Sequence, residues 1–354
     1  MKTTCLKKNK RFADTLLYCV TALAHAMAAG FRKLGTVPAK VMALSFAMVL
    51  AVSVMPSIAS ASEVTTDIYW SVVQSGTDVI LYLGNAEHTV ASGESMYPDG
   101  IESSANKGIS GLVFSYDSDA PYYAHSAYIT KVVIESDIAP VSCLSWFSGF
   151  SSCTTIEGIS YLDTSNVTNM SGMFQDCTAL TTLDLTGFDM SQVTNMSGMF
   201  KGCSNLTSVT FNGAVDTSEV MYMQNMFQGC KNLTTLDLSA FNTANVTNMT
   251  SMFDRCSALT TLTLGAGFDT SKVQYMSKMF KDCSALASVD LTTFNTENVT
   301  DMTSMFANCS SLTSLNLSGF DTGKVTNMSN IFDGCSGLTS LDLSTFNTVN
   351  VKDM

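Results

Sequence analysis

The chain has 354 residues, of which 46% are apolar, with a mean hydropathy of +0.21 and a formal net charge of −12. So much apolar content excludes a disordered polymer, and the acidity excludes nucleic acid and an anionic membrane as partners. The charge is also unevenly placed: eight of the 18 basic residues and one of the 30 acidic ones, Asp14, precede residue 62, which leaves about −19 on the remainder.

Residues 1–61 have the layout of a secretory signal. Apolar stretches cover 15–31 and 41–58; the second follows Arg32, Lys33 and Lys40 and runs into "ASAS", which places cleavage after Ala61. Met27 is an alternative start giving a signal of ordinary size. Tyr18 is too bulky for "LLYC" to be a lipidation site. No run of about 18 apolar residues follows Ala61, so membrane insertion of the mature chain is not expected. Residues 62–128 contain "DVILYLG" and "GLVFSYD", which read as short strands of an all-β N-terminal cap over the open edge of the next region.

From residue 129 to 354 the sequence repeats. Cysteines fall at 153, 177, 203, 230, 256, 283, 309 and 335, spaced by 24 to 27 residues. Three residues before each stands Phe, from Phe150 to Phe332; seven before stands Met, from Met170 to Met328, with Trp146 in the first copy; ten before stands Val, with Cys143 in its place at the start. Offsets of 3, 7 and 10 trace one face of a helix, so this segment is expected to be helical. After each Cys come "LTTLDL", "LTSVTF" or "LTSLNL", whose last apolar residues alternate as a strand requires. A further Phe follows, then Asp or Asn with Thr, as in "FNTENV", where the short polar side chain is expected to cap the next helix.

Strand, turn and short helix cannot bury their apolar sides alone, but stacked copies can. The expected fold is therefore α/β: a right-handed solenoid with a parallel sheet on one surface and a row of short helices on the other. The chain stops at "VKDM", before the Phe and Cys of a new copy, so the array is expected to be truncated or to leave its last strand exposed.

"L-x-x-L-x-L" at a period near 26 resembles a leucine-rich repeat, and "FNTANVTNMTSMFDRCSALTTLTL" is similar to the repeat of the BspA-like bacterial surface proteins. The resemblance covers residues 129–354. It implies a non-catalytic protein, secreted or held at the surface of a bacterium, that adheres to a host extracellular-matrix or plasma protein or to another cell-surface protein.

The cysteines invite three chemical readings. Metal sites use close pairs such as C-x-x-C, and none occurs, so no metal and no cofactor is expected. Disulfides between neighbouring copies are the lesser alternative to free thiols packed as small apolar groups. A nucleophilic Cys needs a base, and after the signal the histidines are His88 and His125, both before the array, so no catalytic residue and no enzyme is expected. Binding is left to the outward strand positions, expected on the concave sheet face: Asp184, Thr210, Asp237, Thr263, Asp290, Asn316 and Asp342 in one column, with Thr182, Thr235 and Thr261 in the next. A hydroxyl and carboxylate surface suits a basic protein segment, a glycan or calcium. The absence of outward aromatics in these columns weakens the glycan reading. Two rivals stand beside adhesion: plain solvation of the face, and a passive spacer displaying a C-terminal domain absent from this chain.

Overall fold

The computed structural model of the protein describes residues 69–85, 89, 91–92, 94–96 and 126–354. The signal at 1–61, the segment "GLVFSYD", His88 and His125 lie outside the described residues.

Strands β1 (Tyr69–Ser75) and β2 (Asp78–Gly84) form an antiparallel hairpin turned at Gly76, whose φ of 62° suits a residue without Cβ. Short β3 (Glu94–Met96) pairs with the outer side of β1. Chain direction then changes: β2 pairs in parallel with β4 (Lys131–Ile134), and β4 in parallel with β5 (Thr155–Glu157). Leu81 and Leu83 of β2, with Val132 and Ile134 of β4, are buried in the same core as the repeats. Between β4 and the turn after β5 the fit is tight, because a Cβ on Gly158 would overlap the Ile134 carbonyl oxygen.

The repeats stack as coils. β6 (Thr182–Leu185) pairs in parallel with β7 (Ser208–Phe211), and β8 (Thr235–Leu238) with β9 (Thr261–Leu264). A second parallel ladder joins every coil through Asn169, Asn195, Tyr222, Asn248, Tyr275, Asp301, Asn327 and Asp353. Between the ladders lies the core, where Phe147, Phe174, Phe200, Phe227, Phe253, Phe280, Phe306 and Phe332 form one continuous stack with ring centroids 5.2–6.0 Å apart. Burial of each such ring or thioether contributes about 1.5–3 kcal/mol.

The expected row of helices is absent, and the fold is a β-solenoid rather than α/β. Among the described residues the helical element is one 3₁₀ turn at Ile159–Tyr161. In the segment at 167–177 the amide groups alternate between two destinations. Met170, Gly172, Phe174 and Asp176 donate to Asn195, Ser197, Met199 and Lys201 of the next coil at 2.7–2.9 Å. Met173, Gln175 and Cys177 donate back three residues, to Met170, Gly172 and Phe174. An α-helix needs every amide to reach back four residues. Left-handed residues also interrupt each coil twice: Gly172 (φ 61°) and Asp176 (φ 58°) here, Ser251 (φ 55°) and Arg255 (φ 63°) two coils beyond the next. No right-handed helix passes through such positions, which cost an L-residue about 1–2 kcal/mol each. The apolar offsets of 3, 7 and 10 persist because successive tight turns return to the inside about as often as a helix does.

The register of the first coil also differs from the sequence reading. Phe147, not Phe150, stacks on Phe174 and donates to Met173, as Phe174 does to Met199. Cys143 donates to Asn169 as Met170 does to Asn195, so it stands in the Met column rather than the Val column. Phe150 follows the left-handed Gly149 as Cys177 follows Asp176, and Cys153 bonds back to Phe150 as Leu180 does to Cys177. The first coil is thus offset by 27 residues from the second, and spacing counted between cysteines misplaced it because Phe150 fills the first Cys place.

Candidate functional site

The strands present two outward columns. In β6 and β8 the burial alternates exposed, buried, exposed, buried, which a pleated strand imposes once Leu183, Leu185, Leu236 and Leu238 face the core. Parallel register then sets Thr182 beside Ser208, Asp184 beside Thr210, Thr235 beside Thr261 and Asp237 beside Thr263. Asp290, Asn316 and Asp342 continue the second column outside the named strands and are exposed. All ten residues singled out from the sequence therefore lie on the outer surface, with successive coils about 4.8 Å apart.

Each acidic residue in the column closes a local turn. Oδ1 of Asp184, Asp237, Asp290 and Asp342 accepts the amide of Thr186, Ser239, Thr292 and Ser344 at 2.8–3.0 Å, and Asn316 does the same for Ser318 at 3.1 Å. These donors hold the carboxyls below the usual range: for Asp184 chiefly the Thr186 amide, for the other three chiefly the hydroxyl two residues on. One oxygen of each is committed to the turn, and the group stays charged at neutral pH. Thr210 and Thr263 carry hydroxyls instead, so from Asp184 to Asp290 negative charge recurs every second coil, about 9.6 Å apart.

The cysteine sulfurs lie elsewhere, buried in the interior except for the half-buried Cys335. Cys177, Cys203, Cys230, Cys256, Cys283, Cys309 and Cys335 are free, and each thiol donates to the carbonyl of the Phe one coil earlier at 3.0–3.2 Å. Burial pushes the Cys203 and Cys309 thiols up to about 12, so they remain protonated at neutral pH. Sulfur chemistry in these columns is packing plus one weak hydrogen bond.

Two features escaped the sequence reading. A threonine column, Thr217, Thr243, Thr270, Thr296 and Thr322, is fully buried and bonds coil to coil. On the second ladder, Tyr222 and Tyr275 are exposed where the other coils carry Asn or Asp. The signal was present in "EVMYMQNM" and "KVQYMSKM", which depart from "VTNM" at the same place.

The Asp or Asn before that threonine was expected to cap a helix. It accepts the amide two residues on, as Asp163 does from Ser165 and Asn295 from Glu297, but the turn so closed opens no helix. Among the described residues no helix is long and apolar enough to cross a membrane.

A family model described as "Mycoplasma protein of unknown function, DUF285" matches residues 142–213, 209–314 and 284–354. Among proteins with curated descriptions none matches the chain significantly. A solved leucine-rich repeat protein from Eubacterium ventriosum is similar to it at 16% identity, over 77% of this chain and 90% of that one, with a TM-score of 0.26.

Proposed function

The chain belongs to the DUF285 family, and from that premise we propose that it is a surface-displayed, non-catalytic adhesion module that binds a protein through its outward strand columns. The observation that carries this reading is the rigid spacing of exposed carboxylates and hydroxyls at Asp184, Thr210, Asp237, Thr263 and Asp290 over a fully buried core. A fixed lattice of charges recognises a partner without the cost of ordering its own side chains, since each Asp is already held by its turn. Charge complementarity points to a basic protein segment, of a host extracellular-matrix or plasma protein or of another cell surface. Display outside the cell rests on the signal-like residues 1–61 and on the resemblance of the repeat to BspA-like surface proteins.

The test is capture of matrix and plasma proteins by the purified chain, repeated with Asp184→Asn, Asp237→Asn and Asp290→Asn combined. Asn keeps the turn bond, as Asn316 does, so folding should persist while the affinity for the captured protein falls about tenfold or more. Capture that is unchanged in the variant, or absent in the parent, would favour the passive spacer.

A further inference from the structure

The second ladder carries a site of its own. At Asn169, Asn195, Asn248, Asp301 and Asn327 the side-chain oxygen accepts the amide two residues on, at 2.9–3.0 Å. Tyrosine has no acceptor within reach of that amide, so Tyr222 and Tyr275 give up a local hydrogen bond made at each of those five positions. In exchange they place large rings in solvent, 41% and 45% exposed, on a ladder whose other described positions carry Asn or Asp. Loss of a turn bond together with exposure of a ring is unfavourable for folding, which points to a ligand.

The two tyrosines stand in one column of a parallel ladder with Asn248 between them, so their side chains leave the same side. Two coils separate them by about 9.6 Å. One residue before Tyr275, Gln274 helps line a groove of about 400 Å³ with Thr247, Lys272, Asn298 and Thr300, all hydrogen-bonding side chains and none of them a carboxylate. Flat apolar rings next to carboxamides and hydroxyls suit a ligand with an apolar face and a polar edge, which is the character of a pyranose. In an extended β-1,4-linked chain each sugar is flipped relative to the last, so one face recurs once per disaccharide, a length that two coils span. α-Linked chains coil and do not keep that repeat.

We infer that Tyr222 and Tyr275 are stacking platforms for alternate sugars of an extended β-1,4-linked glycan. Gln274 hydrogen-bonds its ring substituents. The site is separate from the acidic strand columns and does not depend on the protein-binding reading.

The experiment is calorimetric titration of the full chain with cellohexaose and with chitohexaose, which separate plain from N-acetylated sugars, and with α-1,4-linked maltohexaose. Binding of at least one β-1,4-linked hexasaccharide in preference to maltohexaose is expected. Tyr222→Asn and Tyr275→Asn restore the turn acceptor of the column, so each should unfold at the same or a higher temperature while binding weakens about tenfold. Tyr275→Phe keeps the ring and should retain most of the affinity. The combined Asp184, Asp237 and Asp290 variant should bind the glycan as the parent does. No binding of either β-1,4-linked probe, equal binding of maltohexaose, or full affinity in the Asn variants would overturn the assignment.

Discussion

Cys rather than Ala or Ser fills the space beneath each coil because one backbone oxygen has two claims to satisfy. The Phe174 carbonyl accepts the Cys177 amide of its own coil at 3.2 Å and the Cys203 thiol of the next at 3.0 Å. A thiol is buried at little cost and still donates, whereas a hydroxyl is costlier to desolvate. Cys230→Ala should therefore lower stability by about 1–2 kcal/mol in urea unfolding, through the lost bond to Phe200 and the small void left behind. An unchanged midpoint would remove the thiol bond from the account. Burial of the column was legible from its period. Its partner was not, because the acceptor is a main-chain atom 29 or 30 residues earlier in sequence.

Between coils, the elements are stapled by threonine. Thr270 donates to the Asn295 carbonyl and accepts the Asn295 amide, both at 2.8 Å, and Thr322 does the same with Asn347. Valine has the same shape without the hydroxyl, so Thr270→Val leaves both half-buried Asn295 groups without that partner. The expected loss is about 2–3 kcal/mol in chemical denaturation; a loss no larger than that of an exposed Thr→Val change, such as Thr261→Val, would reject the staple. Read locally, Asp or Asn followed by Thr looks like a helix start, because a helix cap and this turn share one side-chain bond to the amide two residues on. What separates them is where the following amides go, and in this protein half of them leave for the neighbouring coil.

Across the whole molecule the strand-face carboxylates act as one acid-sensitive set. Asp184, Asp237, Asp290 and Asp342 are each held below the ordinary aspartate range in the folded chain by their turn donors. The unfolded chain, with aspartates near about 3.9, then binds more protons in acid. Their stabilisation is full above that value and fades as pH falls through the lower folded one. Changing all four to Asn keeps the turns and removes the titration. Melting temperature in that variant should fall less steeply than in the parent between about pH 5 and pH 2; parallel slopes would show that the turns do not depend on charge.

The sequence by itself determined the period, the buried columns, the parallel stacking and the outward position of Asp184, Thr210 and their neighbours, since burial recurs with the same interval however the backbone bends. Tertiary structure alone decided that the Met and Phe segment is a chain of left-handed turns instead of a helix, and that Phe147 rather than Phe150 begins the ring stack. Both depend on amide bonds reaching across some 25 residues to the next coil. No local pattern of side chains records where a backbone amide points.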